Sequence, residues 1–244
     1  MSEILFSLPL ASIWEAFTTS DGFGKGIVVI QLAMSVGIWS LMIGKWLDLR
    51  DKIKESERFR KFFTGTDMLL GYYYSNQRVQ VSKNPLINVY IASSKRIVRE
   101  LNNLGLDVRT LAETRGQKLS KGAITLVKGA AEEELSVQSL LVEKYMGVLG
   151  AGASLATLLG LLGTVVGVLF AFQSMGAKGS VNLSEIAPGL SSAMLTTVVG
   201  LVVAIPSIFG YNILVGSIRQ VNIILDGFTD ELLGRLLSEF DDDE

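Results

Sequence analysis

The stretch that decides the fold lies at residues 145–177, YMGVLGAGASLATLLGLLGTVVGVLFAFQSMGA, thirty-three residues without a charged side chain. A second uncharged stretch of the same length, residues 186–218, begins after an interval of eight residues. The hydrocarbon core of a bilayer is about 30 Å thick, and a helix needs about 20 apolar residues to cross it. Each stretch exceeds that length, so the sequence predicts two membrane-spanning helices joined as a hairpin.

A third apolar run occupies residues 26–44 and is bounded by Lys25 and Lys45. At 1.5 Å per residue its nineteen residues span about 28 Å, enough for one crossing. Trp39 and Trp46 lie toward its end, where indole rings suit the membrane interface. The sequence therefore predicts three crossings in total.

The interval at residues 47–146 differs in character, because it holds seventeen of the twenty-two lysine and arginine residues. Its strong helix formers and regularly spaced leucines predict a soluble helical domain. Arg50, Lys52 and Lys54 flank the first crossing on this side, whereas Lys25 alone flanks the other. The positive-inside rule then places this domain in the cytoplasm and the N-terminus outside.

The predicted fold class is all-α, a polytopic membrane protein with three transmembrane helices and a helical cytoplasmic domain. The N-terminal segment is mildly amphipathic, which fits either an interfacial helix or a poorly ordered terminus. The predicted segments are an N-terminal segment on the outside at 1–25, transmembrane helix 1 at 26–46, the cytoplasmic helical domain at 47–146, transmembrane helix 2 at 147–172, a loop on the outside at 173–185, transmembrane helix 3 at 186–214, and a cytoplasmic C-terminal helix with an acidic tail at 215–244.

Helices 2 and 3 are both expected to extend into the cytoplasm. No proline separates the helical pattern at 132–141 from Tyr145, so one continuous helix is predicted there. Beyond residue 218 apolar side chains keep near-heptad spacing, which predicts packing against other cytoplasmic helices. These side chains are Val221, Leu225, Phe228, Leu232 and Leu236.

Composition argues against several functions. The chain has no cysteine and no histidine, and its formal net charge is −2, so we expect no metal site, no cofactor and no nucleic-acid partner. Residues 21–26, DGFGKG, resemble a phosphate loop only superficially, and we expect no enzyme activity. None of the three apolar runs contains Asp, Glu, Lys or Arg. Any ion-binding carboxylate inside the membrane must therefore come from a partner.

Small and polar residues distinguish the two long spans. Gly163 and Gly167 form a small-xxx-small motif, and together with Gly160 and Gly200 they predict close helix packing. The alternative is a glycine-tolerant helix with no fixed partner. Likewise, the serine and threonine hydroxyls either bond back to their own helix or line a water-bearing cavity.

Two prolines are predicted to shape the third span. Pro188 is expected in the first turn of the helix, with Asn182 and Glu185 as its cap. Pro206 is interior and is expected to bend the helix.

Two motifs carry a resemblance to a known family. GLLGTVVG at residues 160–167 resembles the GLFGTVWGI signature of the ExbB/TolQ/MotA proton-channel family, and IAPGLSSAMLTTVVGLVVAIP at 186–206 resembles its third-helix signature, IAPGIxEALxxTxxGLxxAIP. The order of segments agrees as well, and three crossings point to the ExbB/TolQ branch. The resemblance implies an ion-driven motor subunit. It further implies a homo-oligomeric ring, a pentamer, around an ExbD/TolR-type single-span partner that carries a membrane aspartate.

The resemblance also assigns residues. The family's pore threonines fall on Thr164 and Thr197, and we expect the ion path to include Thr196 and Ser192 as well. Ser192 departs from the family, which has glutamate there, and Val166 replaces an aromatic residue. The expected function is the channel or stator subunit of an inner-membrane motor driven by protons or sodium ions. A membrane scaffold without ion conduction is the alternative.

Overall fold

The computed structural model describes residues 14, 16–18, 20–66, 69–76, 81–105, 118–178 and 183–240. Its ordered elements are helices throughout this part of the chain, which confirms the all-α prediction. The helices with described bounds are α1 at Gly22–Thr64, α2 at Gly71–Ser75, α3 at Pro85–Asn103, α4 at Lys121–Glu143, α5 at Met146–Lys178 and α6 at Leu183–Phe240.

Three stretches of these helices are long and apolar enough to cross a membrane, as predicted. They lie in α1, in the α4–α5 stretch and in α6. Most of the predicted N-terminal segment at 1–25 lies outside the described residues. α5 continues to Lys178 and α6 starts at Leu183, so both helices extend into the interval predicted as a loop at 173–185.

Local sequence explains where two of the shorter helices start. The side chain of Asn84 accepts a hydrogen bond from the Leu86 amide at 3.0 Å, and Pro85 occupies the first turn of α3. Ser120 accepts in the same way from the Ala123 amide at 3.2 Å, which caps α4. Each cap satisfies an amide that has no partner within its helix.

The helix predicted to run unbroken through residues 132–145 is interrupted, and that prediction is wrong. α4 ends at Glu143, and α5 begins at Met146. Tyr145 has a φ of +74°, a left-handed conformation that breaks the ladder of backbone hydrogen bonds. Left-handed residues at helix ends are usually glycine or asparagine. Because position 145 is a tyrosine and no proline is nearby, the sequence gives no sign of this break.

The chain divides into two compact units. The first unit, which we call the membrane unit, comprises Met1–Lys45 and Tyr145–Ile213. The second, the helical unit, comprises Trp46–Lys144 and Leu214–Glu244. The C-terminal half of α6 thus belongs with the domain predicted at 47–146. Its near-heptad residues are buried, as the sequence predicted.

The helical unit has a core of large side chains. Phe59, Phe63, Tyr90 and Phe228 form a cluster of tilted and edge-to-face rings with centroids 5.1–5.9 Å apart. Such ring pairs add to the stabilisation that burial of apolar area provides. The guanidinium of Arg235 stacks on Phe63 and also donates hydrogen bonds to carbonyls at the end of α1.

Candidate functional site

In the membrane unit α5 and α6 approach each other at glycines. A Cβ atom added at Gly160 would lie 2.9 Å from the Thr196 carbonyl oxygen and 3.0 Å from Cα of Thr197. One added at Gly167 would lie 2.6 Å from Cβ of Ala193, and one added at Gly163 would overlap the Thr196 side chain. These contacts exclude any side chain larger than hydrogen unless the helices move apart.

Gly200 forms the matching close contact from the α6 side. A Cβ atom at this position would lie 2.6 Å from the Ala156 carbonyl oxygen and 3.3 Å from Cα of Gly160. All four glycines that the sequence singled out therefore lie where α5 meets α6. Small residues let two backbones approach closely in lipid, where no hydrophobic force drives helices together.

The close contact brings three threonine hydroxyls to one backbone carbonyl. Thr197 Oγ1 donates to the Gly160 carbonyl oxygen at 2.8 Å, and Thr196 Oγ1 and Thr164 Oγ1 lie 3.2 Å and 3.5 Å from the same oxygen. Thr164 Oγ1 donates to the Leu161 carbonyl at 2.8 Å and lies 3.4 Å from Thr197 Oγ1. The two predicted pore threonines are thus neighbours, although they belong to different helices.

The hydrogen-bond pattern decides what these hydroxyls can do. Each hydroxyl has one proton and two lone pairs, and both protons are directed at backbone carbonyls. Thr164 and Thr197 therefore offer oxygen lone pairs to an incoming proton donor or cation. Both side chains are half-buried, so their surroundings are not closed within this chain.

Thr196 and Ser192 occupy different surroundings. Thr196 is buried and also donates to the Ala193 carbonyl of its own helix at 2.7 Å. Ser192, also buried, donates to the Ser20 hydroxyl at 2.8 Å, just before α1. The geometry thus separates Ser192 from the threonine pair, with which the sequence grouped it.

The region around Ser192 contains a carboxylate from another part of the chain. Asp21 Oδ1 accepts a hydrogen bond from the Gly24 amide at 2.9 Å at the start of α1. A Cβ added at Gly24 would lie 2.8 Å from this oxygen and 3.2 Å from Ser192 Oγ. An acidic group is therefore present close to Ser192, the position at which the resemblance implies glutamate.

The prolines of α6 lie inside the helix. The prediction that Pro188 occupies the first turn is wrong, because α6 begins five residues earlier at Leu183. A proline there leaves the carbonyl one turn before it without its usual amide donor. Pro206 is also interior, as predicted, and the bend expected there stays a prediction. Asn182, the predicted cap, lies outside the described residues.

The structure adds one residue that the sequence analysis missed. Gln31 of α1 is fully buried, and its Nε2 donates to the Ala156 carbonyl at 3.1 Å and to the Thr196 carbonyl at 3.2 Å. It therefore contacts α5 and α6 at the Gly160–Gly200 approach. A single amide within the apolar run at 26–44 was the available signal.

The three apolar runs contain no charged side chain, and Asp21 lies just before the first of them. The residues at 26–44, 146–177 and 186–218 include no acidic or basic side chain. Across the described part of the chain, no group of three acidic residues is placed to hold a metal ion.

Sequence comparison identifies relatives of this chain. Residues 106–226 match the MotA/TolQ/ExbB proton channel family. This match includes α5 and most of α6, and with them all four glycines and all three threonines of the contact described above.

Individual relatives extend the similarity. The chain is 40% identical over 102 residues to the biopolymer transport protein ExbB of Aquifex aeolicus, which covers 36% of this chain and 69% of that protein. It is 26% identical over 207 residues to the Tol-Pal system protein TolQ of Haemophilus influenzae, a match that covers 84% of this chain and 85% of that protein. The biopolymer transport protein ExbB of Pseudomonas putida is 42% identical over 216 residues, a match that covers 85% of this chain and 58% of that protein.

Proposed function

Because the chain belongs to the MotA/TolQ/ExbB proton channel family, we propose that it is the channel and stator subunit of an ion-driven motor complex of ExbB/TolQ type. The complex would use an ion gradient to energise transport or mechanical work in the cell envelope. One observation carries the proposal. In a span region without charges, hydroxyls from α5 and α6 meet at the Gly160 carbonyl, and two of them remain half-buried.

Family membership and the three apolar helices make this a protein of the bacterial inner membrane. We place its N-terminus in the periplasm and its C-terminus in the cytoplasm. The distribution of lysine and arginine supports this orientation, since seventeen of the twenty-two lie at residues 47–146.

The proposed partner is a single-span subunit that brings an aspartate into the membrane. The lone pairs of Thr164 and Thr197 can accept a hydrogen bond from the protonated form of such a carboxyl group, or coordinate a sodium ion. A charge in mid-membrane costs about 2.5–3.5 kcal/mol on insertion scales, and the hydroxyl pair would lower that cost. In this proposal the partner supplies the carboxyl group and this chain supplies the hydroxyls, so this chain needs no charged side chain in the span.

The assembly we propose is a ring of identical chains, a pentamer, around the partner helices. Apolar side chains on α5 are exposed in the single chain and would face lipid or a neighbouring copy; they include Leu155, Leu158, Leu161, Leu162, Val165 and Leu169. One charge moving through 100 mV supplies about 2.3 kcal/mol. That exceeds the average interhelical hydrogen bond in a membrane, about 0.6 kcal/mol, so a few ions can drive a step between packed helices.

The proposal is tested by reconstituting the chain with its co-purified partner in vesicles and imposing separate proton and sodium gradients. We expect dissipation of one gradient, and its loss when the membrane aspartate of the partner is replaced by asparagine. A complex that holds both gradients with its partner bound would contradict the proposal and favour a membrane scaffold.

A further inference from the structure

The amide of Gln31 is held in one orientation. Both hydrogens of its NH2 group are engaged, because Nε2 donates to the carbonyls of Ala156 and Thr196. Reversal of the amide would set Oε1 against two carbonyl oxygens, which repel it. Gln31 of α1 thus donates simultaneously to α5 and α6.

The two accepting carbonyls lie at the closest approach of these helices. In an α-helix the carbonyls of Ala156 and Thr196 already accept from the amides of Gly160 and Gly200, four residues later. Gln31 donates a second bond to each, using the remaining lone pair. A Cβ at Gly200 would lie 2.9 Å from Nε2, so the absence of a side chain there makes room for the amide.

Packing alone does not account for a glutamine at this position. Its Oε1 is buried and accepts no hydrogen bond from the residues that the structure describes. An unpartnered buried acceptor is unfavourable, and leucine, which is of similar size, would avoid that cost. The interactions that favour glutamine at this position are therefore the two hydrogen bonds that its NH2 group donates.

We propose that Gln31 is a positioning residue for the threonine pair. By bridging the turns that contain Gly160 and Gly200, it fixes the register of α5 against α6 and so keeps Thr164 and Thr197 together. Gln31 touches neither of these hydroxyls and acts through the backbone. Its importance for ion flow rests on the function proposed above, whereas its control of helix register does not.

The register is measured by disulfide formation between Thr164→Cys and Thr197→Cys, whose wild-type hydroxyl oxygens lie 3.4 Å apart. The chain has no native cysteine, so the loss of free thiols on oxidation reports this pair directly, and single-cysteine variants report links between chains. Adding Gln31→Leu removes two interhelical hydrogen bonds and should slow formation by about tenfold. Gln31→Asn, one methylene shorter, should give an intermediate rate.

Trp39→Phe provides the matched control. Trp39 Nε1 donates to Ser207 Oγ at 3.1 Å, so this change also removes an α1–α6 hydrogen bond, but one away from the threonines. We expect the cross-linking rate to stay within about twofold of the parent, because the bridged turns are untouched. An unchanged rate in both Gln31 variants, or an equal loss in Trp39→Phe, would overturn the proposal.

Ion flux through the partner-bound complex gives a second readout. Gln31→Leu should lower flux per complex by about tenfold, and Trp39→Phe should not. Gln31→Glu should conduct best at acid pH and lose flux as pH rises, because deprotonation removes its one donor hydrogen. Gln31→Leu has no titrating group and should keep the wild-type pH profile, so a constant ratio of Gln31→Glu flux to wild-type flux across this pH range counts against positioning. If wild-type complexes prove ion-tight while Gln31→Leu still slows cross-linking, the register role stands and the function proposed above fails.

Discussion

The two units of this chain pack their interiors in opposite ways, one through large side chains and the other through direct backbone contact. In the helical unit large rings fill the interior, as at Phe63 and Phe228, whose centroids lie 5.1 Å apart. In the membrane unit backbones meet directly, as at Gly160 and Gly200. The first kind of packing is the one that water favours, because burial of rings removes apolar area from water. Lipid offers no such force, so close backbone contact and hydrogen bonds hold the second.

The same difference explains where polar atoms lie. In the membrane unit the Gln31 amide and the Thr196 and Thr197 hydroxyls are directed at helix carbonyls around the Gly160–Gly200 contact. The helical unit uses polar side chains at helix ends, as at Asn84 and Arg235. Substitutions that remove side-chain volume should therefore destabilise the helical unit, and substitutions that add side-chain volume should destabilise the membrane unit.

The largest effect is expected for Phe228→Ala in the helical unit. Phe228 is fully buried against Phe59 and Phe63, and its truncation leaves a cavity. We expect a loss of about 3–5 kcal/mol in stability, measured by hydrogen exchange of the α3 amides in the full chain. A loss below about 1 kcal/mol would mean that the ring cluster does not hold this unit together.

The next effect is the opposite change in the membrane unit, Gly200→Ala. The added methyl group would meet the Ala156 carbonyl at 2.6 Å and force α5 and α6 apart. We expect a loss of about 1–3 kcal/mol in thermal stability in a lipid nanodisc, together with reduced ion flux. Unchanged stability and flux would show that the helices do not depend on this contact.

Tyr90→Phe tests a buried hydroxyl in the helical unit. Tyr90 donates to the Leu69 carbonyl at 2.6 Å and accepts from the Tyr73 amide at 3.1 Å. Its removal leaves both groups unpaired and should cost about 1–3 kcal/mol at neutral pH.

The same variant has a defined pH dependence. Burial raises the pKa of Tyr90 from 10.0 to about 12, so the folded state holds this proton more tightly than the unfolded state. Wild-type stability should therefore fall as pH rises from about 10 to about 12, and the difference from Tyr90→Phe should shrink. Unfolding measured across that range checks the sign, since a widening difference would contradict it.

The smallest effect is a gain, from Gly129→Ala in α4. Like Gly200, Gly129 lies within a helix, but nothing lies within 4 Å of a Cβ atom added at Gly129. Alanine favours the helix by about 1 kcal/mol, so the helical unit should become slightly more stable to thermal unfolding. Destabilisation at this site would indicate a contact with another chain.

The sequence predicted the helices because they depend on local composition, whereas the pore threonines were predicted only through the resemblance of two motifs to a known family. Apolar length predicted the three spans, and heptad spacing predicted the buried face of α6 that contains Leu225 and Phe228. The motifs pointed to Gly160 and Thr197, which the fold brings into contact.

The features that the sequence missed depend on geometry between helices. Gln31 is one amide in an apolar run, and only its distances to two other helices reveal a role. The break at Tyr145 arises from a left-handed backbone at a residue type that rarely adopts one. Pro188 was assigned to the first turn because proline is common there, whereas α6 begins one turn earlier.

The central claim is that the paired hydroxyls of Thr164 and Thr197 form part of the ion path. The most direct test compares two double variants of the partner-bound complex in vesicles. Thr164→Val with Thr197→Val keeps the side-chain shape and removes both hydroxyls, whereas Thr164→Ser with Thr197→Ser keeps the hydroxyls. We predict that the valine pair lowers ion flux by at least about tenfold and that the serine pair stays within about threefold of wild type. Wild-type flux through a correctly assembled valine pair would contradict the account.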